Sequence, residues 1–413
     1  MRPSHSRDLG LIPPVIVLAL FTGPRPVLGG ALRLSAARCR AHASACEIQA
    51  SASVYDSIVL SGIKQGAYPG AVLVVGRRDR ILYEKGFGHL TWSPNSPVDR
   101  PDSTIFDLAS LTKAVATTTA AMILFDRGKL KLDVPVSTYL PEFNGAGTAA
   151  ITVRMLLTHT SGLRGDLPVP QLRALPDGAA LMRTVLAETP RTKPGTRVVY
   201  SDLNFVLVGE IIRRLSGEPL DQFVTTEVID PLALTETRYR PSTRLASRIA
   251  PTGVWHGHPV AGVVNDPTAA KSGGVSGNAG LFSTGENLAR FVQFLLRGGT
   301  RPDGRALVSP ETVKLFTTRA PQADVGPDHR ALGWQAVPTD EEVSSAGKLF
   351  GPRSFGHTGW TGTSIWIDPD RDVFVILLTN RAFAPRARKP FTVLKTVRGH
   401  LADAAARAVD GGR

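Results

Sequence analysis

Strand signals in this chain gather near its two ends, with a long proline-punctuated helical region between them. Near the start, 70–76 (Gly-Ala-Val-Leu-Val-Val-Gly) and 81–86 (Ile-Leu-Tyr-Glu-Lys-Gly) read as strands joined by the charged turn from Arg77 to Arg80. Strand character returns at 362–368 and 373–379, which flank the hairpin turn Pro369-Asp370-Arg371-Asp372. Between the two ends, Pro135, Pro141, Pro168, Pro170, Pro176, Pro190 and Pro194 break the sequence into helical patches at 152–159, 179–188 and 203–215. Short apolar-faced helices follow at 286–296 and 310–318; a helix over about 47–65 precedes the first strand and one over 391–409 closes the chain. This order predicts an α+β fold, with one antiparallel sheet built from both ends and a mainly helical domain inserted between them. The sheet part is expected at about 47–109 and 270–413 and the helical part at about 110–269. A functional cleft is expected at their seam.

Composition narrows the function. The 413 residues are 42% hydrophobic, enough for a substantial core, and 40 glycines with 31 prolines mark a loop-rich globular chain. The formal net charge is +13, but the arginines are dispersed and no zinc finger, basic arm or aromatic-basic signature accompanies them. A solvated basic surface is therefore expected, with no nucleic-acid partner. The only cysteines, Cys39 and Cys46, precede the predicted globular region, which leaves no disulfide framework or cysteine metal site there. His256 and His258 form a metal-type pair without a third ligand beside it, and read as a solvated loop; no metal is expected.

Residues 1–46 have the character of an export leader. Arg2 and Arg7 precede an apolar run over 9–21, broken by Pro13-Pro14, and small residues follow at 29–31 and 43–45. The run is too short for a stable transmembrane span. An exported protein, periplasmic or extracellular, is expected, with membrane anchoring through the leader as an alternative.

One stretch carries a candidate for chemistry. Leu111, Val115, Thr118, Met122 and Phe125 recur at helical spacing, so a buried helix is expected to start near Ser110, with the serine at its N-cap or first turn. Lys113 lies one turn on. Burial depresses a lysine pKa, and a neutral amine beside a serine hydroxyl can take its proton. Ser-x-x-Lys also occurs at 61–64 and 345–348, so the spacing alone is weak, but only the 110–113 copy opens a long apolar helix. No Gly-x-Ser-x-Gly elbow, Walker loop or His-Glu-x-x-His is present. Tyr200-Ser201-Asp202 leads into the 203–215 helix, and Ser354-Phe-Gly-His357-Thr358-Gly359-Trp360-Thr-Gly362 leads into the late hairpin. Glycines at 356, 359 and 362 imply close approach to the backbone, which fits a strand edge open to substrate. Taken singly, each of these segments is more often structural.

Together, Ser110-Leu-Thr-Lys113, Tyr200-Ser-Asp202 and His357-Thr358-Gly359 resemble the three motifs of the penicillin-recognising serine enzymes. These are the class C β-lactamases, D-Ala-D-Ala carboxypeptidases and related esterases. Leu156-Leu-Thr-His159-Thr-Ser-Gly-Leu163 and Ser272-Gly-Gly-Val-Ser-Gly-Asn278-Ala-Gly strengthen the likeness, which spans roughly 50–405. The resemblance implies a β-lactamase/transpeptidase-like fold with residues 47–413 as the hydrolase domain. It implies Ser110 as nucleophile, Lys113 and Tyr200 sharing the base role, and an oxyanion hole from the N–H groups of Ser110 and Trp360. Asp202, His357, Thr358 and Gly359 would bind substrate, and no cofactor is needed. The substrate would be a small molecule or peptide, cell-wall peptides included.

Two departures from the β-lactamase pattern bear on substrate. Asp202 stands where those enzymes usually have asparagine, and a carboxylate accepts hydrogen bonds where an amide can also donate. His357 stands where they carry lysine, and is mostly neutral at pH 7. Both favour an esterase or carboxypeptidase. A β-lactamase, or a penicillin-binding sensor-like module without turnover, are the alternatives.

Overall fold

Gly70–Gly76 is apolar on both faces, the composition of a strand covered on each side. In the computed structural model of the chain, which describes residues 52–321, 328–337 and 344–411, this segment is strand β1, and all of it is buried. It pairs antiparallel with β2 (Ile81–Gly88) on one side and β11 (Val373–Thr379) on the other. The six-stranded sheet has the order β2-β1-β11-β10-β9-β8, where β10 is Ser364–Asp368, β9 is Phe355–Thr358 and β8 is Gln335–Ala336. Every pairing is antiparallel. The early and late strands therefore meet in one sheet, as the strand signals imply. The leader, with Cys39 and Cys46, lies outside the described residues.

Alternation along the central strands sends side chains to two helical layers. Leu73, Val75, Trp366, Val375 and Leu377 pack with Tyr55 and Val59 of α1 (Ala52–Lys64) and with Leu394 and Leu401 of α11 (Pro390–Asp410). Val72, Val74, Ile365, Ile367, Ile376 and Leu378 face the opposite core, which includes Leu288 and Val292 of α9 (Gly285–Leu296). Gly285 permits that contact: a Cβ there would fall 2.8 Å from the Val72 side chain.

Between the early and late strands, α2 opens as π-type turns over Lys113–Thr118 and continues as α-helix over Thr119–Asp126. The helices α3 (Val153–Leu157), α4 (Val169–Ala174), α5 (Gly178–Leu186), α6 (Asp202–Ser216), α7 (Leu220–Val224), α8 (Pro267–Lys271) and α10 (Pro310–Thr317) follow along the chain. Side-chain caps fix several starts: Thr152, Asp177, Asp266 and Ser309 each accept a backbone N–H of the first turn. Among the described residues no helix is long and apolar enough to cross a membrane.

The sequence signals do not reveal the smaller strands, which are too short for a period-two pattern. β3 (Phe106–Asp107), β7 (Leu281–Ser283) and β4 (Arg238–Tyr239) form a three-stranded sheet, and β5 (Gly253–Trp255) pairs with β6 (His258–Val260). His256 and His258 stand exposed on that hairpin. β3 matters most, because it delivers the chain to Ser110.

Candidate active site

Asp107 ends β3 and turns its carboxylate back onto the chain. It accepts the N–H of Ala109 at 2.9 Å and that of Asn265 at 2.7 Å. Ala109 is thereby held at φ +46°, in the left-handed region that alanine rarely adopts. Ser110 follows in the turn that enters α2. The π-type turns that come next bury Lys113 completely, and such local widening of a helix is frequent at functional sites. Burial also pushes the Asp107 carboxyl up to about 6, against the opposing effect of its two N–H donors.

Lys113 is engaged on three sides. Its Nζ donates to Ser110 Oγ at 2.9 Å and to the Asn278 carbonyl at 2.9 Å, and lies 2.5 Å from Asp202 Oδ1. Burial pulls the ammonium pKa down, but the Asp202 carboxylate and Tyr200 outweigh it, and the net direction is up. The expectation of a neutral resting amine is therefore corrected: burial acts as argued, and the Asp202 carboxylate reverses its outcome. Asp202, the first residue of α6, has Asp166 and Asp266 nearby. Burial, with repulsion from Asp202, raises both of those carboxyls, Asp166 to about 6.

Tyr200 is bracketed by His159. The Val199 N–H donates to the His159 carbonyl at 2.9 Å, and the Ser201 N–H donates to His159 Nδ1 at 3.1 Å. The imidazole lies against the tyrosine ring, with centroids 4.4 Å apart. Its Nδ1 accepts, so Nε2 carries the proton, and burial keeps the ring neutral with help from the charges of Arg330 and Lys113. The Tyr200 hydroxyl is within hydrogen-bonding range of Lys113 and Ser110; burial raises its pKa, Lys113 lowers it, and the net direction is up.

His357 and Thr358 end β9. The two-residue β8 pairs only with Phe355 and Gly356, so among the described residues no strand pairs with the β9 edge beyond them. His357 Nδ1 lies 2.9 Å from the Thr358 carbonyl and must donate to it, which leaves Nε2 as a buried lone pair without a partner among the described residues. Burial first, then Arg330 and Lys113, hold this imidazole neutral. The glycines here are crowded by the protein itself. A Cβ on Gly359 would fall 2.4 Å from the Leu108 carbonyl, and one on Gly362 (φ +117°) would fall 2.1 Å from the Thr379 hydroxyl. That differs from the expected approach by substrate, and it locks this loop to the Ser110 turn. Thr361 and Thr363 complete the lock, donating to the carbonyls of Asp107 at 2.7 Å and Leu108 at 3.0 Å. Trp360 is exposed, and its carbonyl accepts from Arg381.

Ser110, Tyr200, His357, Thr358, Gly359 and Trp360 thus line one cavity of about 340 Å³, with Arg330 and Arg398 also in its wall. Lys113, fully buried, and Asp202 meet beside Ser110. A larger cavity of about 620 Å³ lies among Glu210, Arg213, Asp221 and Arg240, whose charges are already paired with one another. Asp107, His159, Asn278, Arg330 and Arg398 carry site contacts that the sequence reading assigned no role. His159 and Asn278 fall in stretches that supported the resemblance, whereas a lone arginine in α11 gives no signal.

Comparison with known proteins shows the family and the fold. The sequence profile of the β-lactamase family matches residues 55–397. The "Putative D-alanyl-D-alanine carboxypeptidase" of Escherichia coli K12 is 32% identical over 356 residues, covering 78% of this chain and 80% of that one. The fold is shared with EstCE1, a hydrolase with promiscuous acyltransferase activity (TM-score 0.70, 22% identity, 87% of this chain and 99% of that one). It is shared also with a class C β-lactamase from Rhodobacter sphaeroides (TM-score 0.64, 21% identity, 83% and 97%). The chain belongs to the β-lactamase family and has the β-lactamase/transpeptidase-like fold. It is a β-lactamase-family serine hydrolase.

Proposed function

We propose that the protein hydrolyses an ester or a D-aminoacyl amide through an acyl-enzyme on Ser110, as an esterase or a D-Ala-D-Ala carboxypeptidase. The observation that carries this reading is the contact of Lys113 Nζ with Ser110 Oγ at 2.9 Å, at the edge of a cavity open to substrate. Lys113 and Asp202 share protons as one unit. Lys113 passes a proton to Asp202 as it takes that of Ser110, and Ser110 Oγ adds to the substrate carbonyl. The N–H groups of Ser110 and Trp360 stabilise the oxyanion. Tyr200 gives its proton to the leaving group and is refilled from Lys113, and Asp202 returns its proton to Lys113, so the serine proton ends on the alcohol or amine released and the pair is restored. Water then adds to the acyl-enzyme by the reverse relay and frees the acid. Thr358 and Gly359 present the β9 edge to the substrate backbone, with His357 beside them. We include in this proposal residues 47–413 as the hydrolase domain and export through the leader.

The test sets a short-chain chromogenic ester, a D-Ala-D-Ala peptide and a chromogenic cephalosporin side by side, with wild type against Ser110→Ala. Turnover of the ester or peptide that disappears in the variant supports the reading. Turnover that survives the substitution places the chemistry elsewhere. A preference for the cephalosporin would make the protein a β-lactamase. Covalent labelling of Ser110 by a penicillin, with no turnover of any substrate, would make it a sensor-like module.

A further inference from the structure

Asp266 stands before α8 and does more than cap it. Its Oδ1 accepts the Ala269 N–H at 2.7 Å, the usual bond of an N-cap residue to the first turn. The same oxygen accepts Asn278 Nδ2 at 3.1 Å, from 12 residues further along the chain. A serine caps a helix as well as an aspartate does, without bringing a carboxyl group to the site. Here burial, and then the Asp202 carboxylate, raise the Asp266 pKa, so its charged form is disfavoured. What the shorter serine would lack is the reach to Asn278.

Asn278 is fully buried, and its backbone supports the base. Its carbonyl accepts Lys113 Nζ at 2.9 Å, while its side-chain Oδ1 accepts the Ser276 hydroxyl at 2.6 Å. The amide bond to Asp266 therefore ties the support of Lys113 to the start of α8. On its other side the same segment is tied to α2. Thr117 donates to the Gly277 carbonyl at 2.7 Å, and the Leu281 N–H donates to the Thr112 hydroxyl at 3.1 Å. One residue before Asp266, the Asn265 N–H donates to Asp107 Oδ2 at 2.7 Å. The other oxygen of that carboxylate holds the Ala109 N–H, next to Ser110. Two adjacent residues thus reach the turn that carries the nucleophile and the carbonyl that carries the base.

We propose that Asp266 is a positioning residue of the hydrolytic site: it holds Lys113 at Ser110 by way of Asn278, while Asn265 holds the Ser110 turn by way of Asp107. This rests on the hydrolase reading above and goes one step beyond it. Without the Asp266 oxygen the buried Asn278 amide loses an acceptor. An unpaired buried N–H is costly, so the side chain rotates or the segment shifts to pair it. The Asn278 carbonyl moves with the segment, and Lys113 spans that carbonyl and Ser110 Oγ, 2.9 Å from each. Asp266 does not line the cavity, so its loss should disturb alignment and leave substrate binding.

Two substitutions separate this role from capping. Asp266→Ser keeps a capping oxygen but is too short to reach Asn278, whereas Asp266→Asn keeps an oxygen that can accept from both donors. On the ester or peptide that the wild type turns over, Asp266→Ser should lower kcat about 10- to 100-fold, with KM changed by less than about threefold. Asp266→Asn should recover most of that rate, and both variants should melt close to the wild type. Wild-type kcat in Asp266→Ser, or a loss confined to KM, overturns the role. So does an Asp266→Asn protein as slow as Asp266→Ser, which would place the effect in the charge, and so does a rate loss that tracks a fall in melting temperature in both variants. A crystal structure of Asp266→Ser asks the question without turnover. Lys113 Nζ out of hydrogen-bonding range of Ser110 Oγ supports the role even if the hydrolase reading fails. Lys113 still bonded to both Ser110 Oγ and the Asn278 carbonyl refutes it.

Discussion

Lys113 Nζ and the Asp202 carboxylate lie 2.5 Å apart, and the amine is completely buried. The pair sets the resting protonation of the site. With the carboxylate present the ammonium is favoured, and the base becomes available only as the pair redistributes its proton. Asp202→Asn removes the counter-charge and leaves burial as the main influence, so the lysine pKa should fall. A lower pKa means a larger neutral fraction at a given pH, so the acid limb of the pH profile of kcat/KM should move down by about one unit or more. The new amide can also donate to a substrate carbonyl, so acylation by a chromogenic cephalosporin should rise. An acid limb that stays in place would remove Lys113 from the base role.

The two segments proposed to bear the oxyanion N–H groups are joined by the Thr361 hydroxyl on the Asp107 carbonyl. Thr361→Val keeps the volume and cuts the tie. Loss of one such hydrogen bond should cost about 1 kcal/mol of stability. Turnover should suffer more, because a small displacement of aligned groups lowers rate by up to about 100-fold. Steady-state kinetics should show this mainly in kcat, with KM changed little. A loss confined to KM would mean that the loop holds substrate without aligning the oxyanion donors.

Much of this architecture is legible in the chain. β1, β10 and β11 are apolar runs bounded by turn residues, and α6 and α9 carry helical periodicity, so their existence and order follow from local pattern. Bringing Ser110, Tyr200 and His357 together depends on order along the chain and on resemblance, because no local rule joins residues so far apart. Three features escape sequence reasoning for physical reasons. β3 has only two residues, and its role depends on a pairing with β7. The sign of the Lys113 shift depends on the distance to Asp202, which no spacing rule supplies. Arg398 is one arginine among many on a basic chain, and only the packing of α11 shows that it is buried.

His159 accepts the N–H groups of Val199 and Ser201, the residues on either side of Tyr200, and its ring lies against the Tyr200 ring, while it is not among the residues lining the cavity. It is a positioning residue. His159→Leu should lower kcat about tenfold or more and leave KM nearly unchanged. His159→Asn, whose amide oxygen can accept the Ser201 N–H in place of Nδ1, should recover part of the rate. If both variants fail alike on kcat and melting temperature, the residue supports the fold and does not specifically set Tyr200.

Asp99 is 3% exposed, and among the described residues neither of its carboxylate oxygens has a hydrogen-bond partner. The closeness of β1 explains the lack of solvent: a Cβ on Gly70 would fall 2.0 Å from Asp99 Oδ2. Burial pushes this carboxyl up to about 8. Its folded pKa is thus above the unfolded value of about 4, so the folded state binds the proton more tightly. Stability from this group is full below about pH 4, declines as pH rises through the interval to about 8, and is flat beyond. Asp107, raised to about 6, acts in the same direction over the lower part of that window. Asp99→Asn removes the charge that must be buried above pH 8. Relative to wild type it should gain on the order of 3–5 kcal/mol between pH 4 and pH 8.5. Urea melts of both proteins at those two pH values measure the difference directly. Parallel curves would show that Asp99 ionises in the folded protein as it does in water.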